Sequence, residues 1–60
     1  MLNYYLIKFY NKPSIVVEAP DQNSAISPYI GQFSKCDEIS VAYKRFLVDV
    51  CGVDFVEWRS

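Results

Sequence analysis

Histidine is absent from this 60-residue sequence, and that removes several chemistries at once. Without imidazole there is no Ser-His-Asp or Cys-His relay and no histidine-supported zinc site. Cysteine is scarce: Cys36 and Cys51 alone do not supply a structural metal tetrahedron. Glycine occurs only at Gly31 and Gly52, so there is no glycine-rich phosphate loop. No run approaches the ~18 apolar residues of a membrane span. The N-terminus also lacks the basic, apolar and small-residue regions of a secretory leader. The chain is therefore expected to be a non-enzyme with no cofactor and no metal, cytoplasmic, with reduced thiols.

Charge of either sign is thin. Six basic residues face seven acidic ones, for a net charge of −1. The cations at Lys8, Lys12, Lys35, Lys44, Arg45 and Arg59 are scattered, and only Lys44-Arg45 form an adjacent pair. Phosphate binding rests on clustered cations that release counterions, so nucleic acid is not an expected partner. Asp49, Asp54 and Glu57 make a mild C-terminal concentration, too dispersed for a nucleic-acid mimic. Asp37-Glu38 fit the N-terminal turn of a helix, where the macrodipole favours them, better than a catalytic carboxylate pair.

What the chain does have is apolar and aromatic mass. Apolar residues make up 52%, and the aromatics are five Tyr, four Phe and Trp58. A domain of this size buries only about 60% of the surface it exposes when unfolded. One compact core is expected, with apolar surface left over and burial against a second subunit rewarded.

Residues 2–10 are dense in aromatic and branched side chains and read as a strand. Asn11-Lys12-Pro13 supplies turn chemistry, and residues 14–19 form a second strand, completing a β-hairpin. An odd-numbered loop sets Phe9 opposite Ile15, Ile7 opposite Val17 and Tyr5 opposite Ala19, which makes one face wholly apolar. A one-residue slip would invert a strand's faces and align Glu18 with Tyr5 and Ile7. Pro13 cannot take the left-handed position of a three-residue loop, so five residues fit better.

Asp21 is a candidate N-cap, and Ala25, Ile26, Tyr29, Ile30 and Phe33 recur at helical spacing. A short, kinked or interrupted helix is expected over residues 21–33: Pro28 breaks the helix, or alternatively Ser27-Pro28 form a cap and first-turn pair that restarts it. For residues 35–51 two templates compete. Ile39, Ala42, Tyr43, Phe46, Leu47, Val50 and Cys51 fit one helical face, with Ser34 and Asp37 at capping-box spacing and Gly52 as the C′ residue. Alternatively Ile39, Val41 and Tyr43, then Phe46, Val48 and Val50, alternate as strands about a Lys44-Arg45 turn. The helix explains more positions and is the expectation, with Val41 and Val48 opposite its apolar stripe. It would hold Cys36 and Cys51 roughly 22 Å apart, too far for a disulfide, with Cys51 in the core and Cys36 at the surface. Residues 53–58 read as a third strand.

The expected architecture is one α+β domain over 1–60. It is a small antiparallel sheet, hairpin plus C-terminal strand in ββααβ order, with helices packed on one face. The other face would then present Tyr4, Leu6, Lys8 and Tyr10, joined by Trp58, as a partner-binding surface. The expected role is a non-enzymatic protein-binding module for a protein partner or a second copy of itself. In size, acidity and aromatic richness the chain is similar to small phage or mobile-element proteins that inhibit or redirect host machinery. That resemblance implies an inhibitor or regulator of a host protein, and no functional residue is carried over with it. The alternatives are a single-stranded nucleic-acid binder, stacking bases on sheet aromatics beside Lys8, Lys44 and Arg45, and a structural subunit of a larger assembly.

Overall fold

A computed structural model describes residues 1–58. The chain runs β1 (Asn3–Phe9), β2 (Ile15–Ala19), α1 (Gln22–Ile26) with a 3₁₀ turn at Ser27–Tyr29, β3 (Phe33–Ile39), α2 (Val41–Arg45) continued by a π-helical turn at Phe46–Val50, and β4 (Asp54–Glu57). It is an α+β fold built on a four-stranded mixed sheet in the order β3-β1-β2-β4. β1 is antiparallel to both β2 and β3, whereas β4 runs parallel to β2. The expected wholly antiparallel sheet and ββααβ order are thus corrected to a mixed sheet in ββαβαβ order.

The hairpin keeps the expected facing but not the expected register. Ile7 sits opposite Ile15 and Tyr5 opposite Val17, two residues from the pairing read off the sequence. A shift of two preserves which side chains share a face, because the strand period is two. Phe9 leaves β2 and pairs instead with Phe33 of β3, across an irregularity between Lys8 and Phe9.

Residues 35–51 are not one helix. The first part is β3, and the helix starts only after Ser40, whose hydroxyl accepts the Tyr43 N–H at 3.1 Å. Ser34, the expected cap, instead donates its hydroxyl to the Lys8 carbonyl at 3.2 Å. The helix ends in a wide turn, with Cys51 N–H donating to the Phe46 carbonyl at 3.2 Å. Gly52 follows at φ 71°, the left-handed conformation that closes a helix C-terminus. At α1, Asp21 accepts the Ser24 N–H at 2.7 Å as N-cap, and Pro28 lies in the 3₁₀ turn where regular helix stops.

The helices lie on opposite faces of the sheet, not on one. Ala25 of α1 packs on Tyr5, Ile7, Val17 and Ala19 of the sheet, flanked by Phe9, Ile15, Tyr29, Phe33 and Cys36. Under α2 are Leu6, Val16 and Leu47, flanked by Tyr4, Ile39, Val48, Val53 and Phe55. Alternate residues of β1 and β2 therefore feed two separate apolar layers. Cys36 and Cys51 are both free, but their places are reversed from expectation: Cys36 packs against the α1 layer and Cys51 is exposed.

Candidate interaction surfaces

The structure does not assemble the five expected contact residues. Leu6 is buried beneath α2, and Tyr4 is half-covered beside it. The Tyr4 ring lies 6.2 Å from that of Phe55, and the Lys44 ammonium caps both, 5.3 Å from Tyr4 and 4.6 Å from Phe55. Desolvation, followed by a hydrogen bond to Glu18 and the charge of that carboxylate, pushes the Tyr4 phenol above its usual range, while Arg45 acts in the opposite direction. Lys8 is exposed on the same strand face. Tyr10 lies past the end of β1, 69% exposed. Trp58 is 39% exposed and lines a groove on the α1 face, across the sheet from Tyr4 and Leu6.

A different surface emerges on α2. Lys44, Leu47 and Val48 turn toward the sheet, whereas Tyr43 is 46%, Phe46 50% and Val50 71% exposed. These three recur at i, i+3 and i+7, so they share the outer side of the helix. The Tyr43 and Phe46 rings stack with centroids 6.4 Å apart and planes within 10°. Sequence periodicity places these three on one face together with Leu47 and expects that whole face in the core; Leu47 is buried there, and these three are not. The sheet beneath accepts Leu47 alone as a buried residue from α2, so the stripe faces away from the protein. The signal that pointed this way was the apolar surplus, more than a small two-sided sheet can cover. Of the pair expected opposite the stripe, Val41 is exposed and Val48 packs in the core.

The second surface lies at the β4 edge. On the α1 face, Val17, Ala25, Pro28, Tyr29, Val56 and Trp58 line an open groove of about 300 Å³. On the opposite face Glu57 stands in register beside Glu18. Among the described residues the ion pair within 4 Å is Lys35–Asp37, at 3.6 Å, so neither glutamate has a cation partner there.

Burial, then the charge of Asp37, pushes the Cys36 thiol above its usual range, the direction opposite to thiolate activation. No group of three His, Cys, Asp or Glu side chains among the described residues is arranged to hold a metal ion. No described helix is long and apolar enough to cross a membrane. No protein-family model matches the chain, and neither a curated protein nor a solved structure matches it.

Proposed function

We propose that this chain is a cytoplasmic, non-enzymatic protein-binding module whose contact surface is the outer face of α2. The observation that carries the reading is the stripe of Tyr43, Phe46 and Val50, three large apolar side chains about half or more exposed along one side of a helix. Water contact on such surface is unfavourable by roughly 25 cal/mol per Å², and a partner groove relieves it. An amphipathic helix presenting apolar anchors at i, i+3 and i+7 is a recurring mode of protein recognition, with aromatic anchors contributing most. Two free cysteines fit a reducing compartment.

A second copy of the chain is the partner that one further observation favours. Arg45 and Asp49 are exposed beside the stripe, four residues apart and opposite in charge. An antiparallel two-fold pairing of α2 helices would set each Arg45 against Asp49 of the other copy. Base stacking on the sheet has less support, since Lys44 covers Tyr4 and Lys12 lies 4.4 Å over the Phe9 ring.

The test is Phe46→Asp, a change at an exposed position that leaves the core intact. A protein captured by the tagged wild-type chain from the cell that makes it should be lost with Phe46→Asp at unchanged far-UV circular dichroism. Capture that survives the substitution moves the contact off α2. Light scattering separates the two partners: self-association gives a dimer mass that Phe46→Asp reduces to monomer.

A further inference from the structure

We infer that the open edge of β4 is a docking site for an extended peptide segment in which apolar and basic residues alternate. The site is separate from the outer face of α2 and rests on different residues.

Among the described residues the sheet order leaves β4 bonded on one side only. Its parallel register, with Val56 beside Val17 and the Trp58 N–H donating to the Glu18 carbonyl at 2.8 Å, turns alternate residues 54, 56 and 58 toward β2. Phe55 and Glu57 therefore direct their N–H and C=O groups away from the sheet. Those four backbone groups are a template for an incoming strand, the arrangement used in β-augmentation.

The side chains around the edge specify what such a strand carries. Alternate residues of an added strand would fall on opposite faces. Those on the α1 side would meet the apolar surfaces of Val56 and Trp58 and the groove between them and Pro28 and Tyr29, whose rim also carries Ser24 and Ser27. Those on the α2 side would lie beside Glu57, with Glu18 next to it in register and no cation within 4 Å among the described residues. That position takes lysine or arginine.

The same charges select against a second copy. Pairing β4 with β4 of another molecule would bring the Glu18 and Glu57 carboxylates of both copies onto one face, and in the register that sets Glu57 opposite Glu57 all four would line up. Like charges across adjacent strands are destabilising. A basic partner strand removes the repulsion that a self-pair would create.

The test uses the full chain and a short synthetic peptide of alternating lysine and valine. Binding is followed by amide hydrogen exchange and nuclear magnetic resonance titration. The expected result is slowed exchange at the Phe55 and Glu57 amides, abolished when the peptide is N-methylated along its pairing edge. Glu57→Lys should weaken binding about tenfold, the swing between an attractive and a like-charged cross-strand pair. It should also turn the preference toward a glutamate–valine peptide. Phe46→Asp should leave peptide binding unchanged, so the fate of the α2 reading is scored separately. Unprotected Phe55 and Glu57 amides at saturating peptide would overturn the inference, as would binding indifferent to Glu57→Lys or lost on Phe46→Asp.

Discussion

Leu47→Ala removes the one side chain of α2 that is buried, and its effect against that of its neighbour Phe46 measures how the helix is rotated. The truncation takes away three carbons, about 2.4 kcal/mol at roughly 0.8 kcal/mol per buried methylene. A residual cavity between Leu6 and Val16 raises the loss to about 3 kcal/mol. A domain of this length has a total stability of roughly 3–9 kcal/mol, so the variant should lose between about a third and all of it. Phe46 is half exposed, and Phe46→Ala gives up only about 1 kcal/mol, part of it returned by the better helix propensity of alanine. Urea unfolding followed by far-UV circular dichroism reads both, with an unchanged slope showing that the denatured state is the same. Had the helix buried the stripe that periodicity singles out, Phe46 would be a core residue. A loss at Phe46→Ala equal to or larger than that at Leu47→Ala refutes the rotation, and with it the exposed surface.

Two further predictions rest on local structure. Ser40→Ala should destabilise by about 1 kcal/mol through loss of the cap on the Tyr43 N–H, while Ser34→Ala should change stability by only a few tenths, reversing the ranking expected from sequence; thermal melts of both variants decide it. Tyr4 and Cys36 both hold their protons more tightly in the folded chain, chiefly through desolvation. Above about pH 9 the folded state therefore binds more protons than the unfolded one, and stability should fall as pH rises. Denaturation midpoints between pH 8 and 11 should drop more gently in the Tyr4→Phe, Cys36→Ala double variant, and identical slopes would contradict the assigned direction.

Local rules carried far in this chain. Facing in the hairpin was legible because Ile15, Val17 and Ala19 match Tyr5, Ile7 and Phe9 in parity, and parity survives a two-residue shift. Asp21, Pro28 and Gly52 act where their backbone chemistry places them. β3 was illegible for a physical reason: it is an edge strand, and its exposed positions carry Ser34, Lys35, Asp37 and Glu38. Half-buried side chains recur there at Phe33, Cys36 and Ile39, a spacing of three that imitates a helix. Such polar outer residues protect a sheet edge from stray pairing and erase the alternation that would reveal it. Periodicity reports which side of a helix is greasy, not what covers it, so the outer face of α2 escapes it. Packing both helices on one face is what leaves Tyr4 and Leu6 on an open surface, whereas α2 in fact covers that face. Without β3, α2 had no route to the second face.

The supply of both apolar layers by alternate residues of the same two strands makes β1 and β2 behave like a reading frame. Deleting one residue near Tyr5 would transpose the remainder of β1, sending Lys8 into the layer under α1 and Ile7 into that under α2. Neither half could be spoiled alone. Changes of length should accordingly be tolerated at the turns around Asn11 and Gly31 and be ruinous within the strands, a pattern that a scan of single-residue deletions would expose as two silent windows flanking forbidden ones.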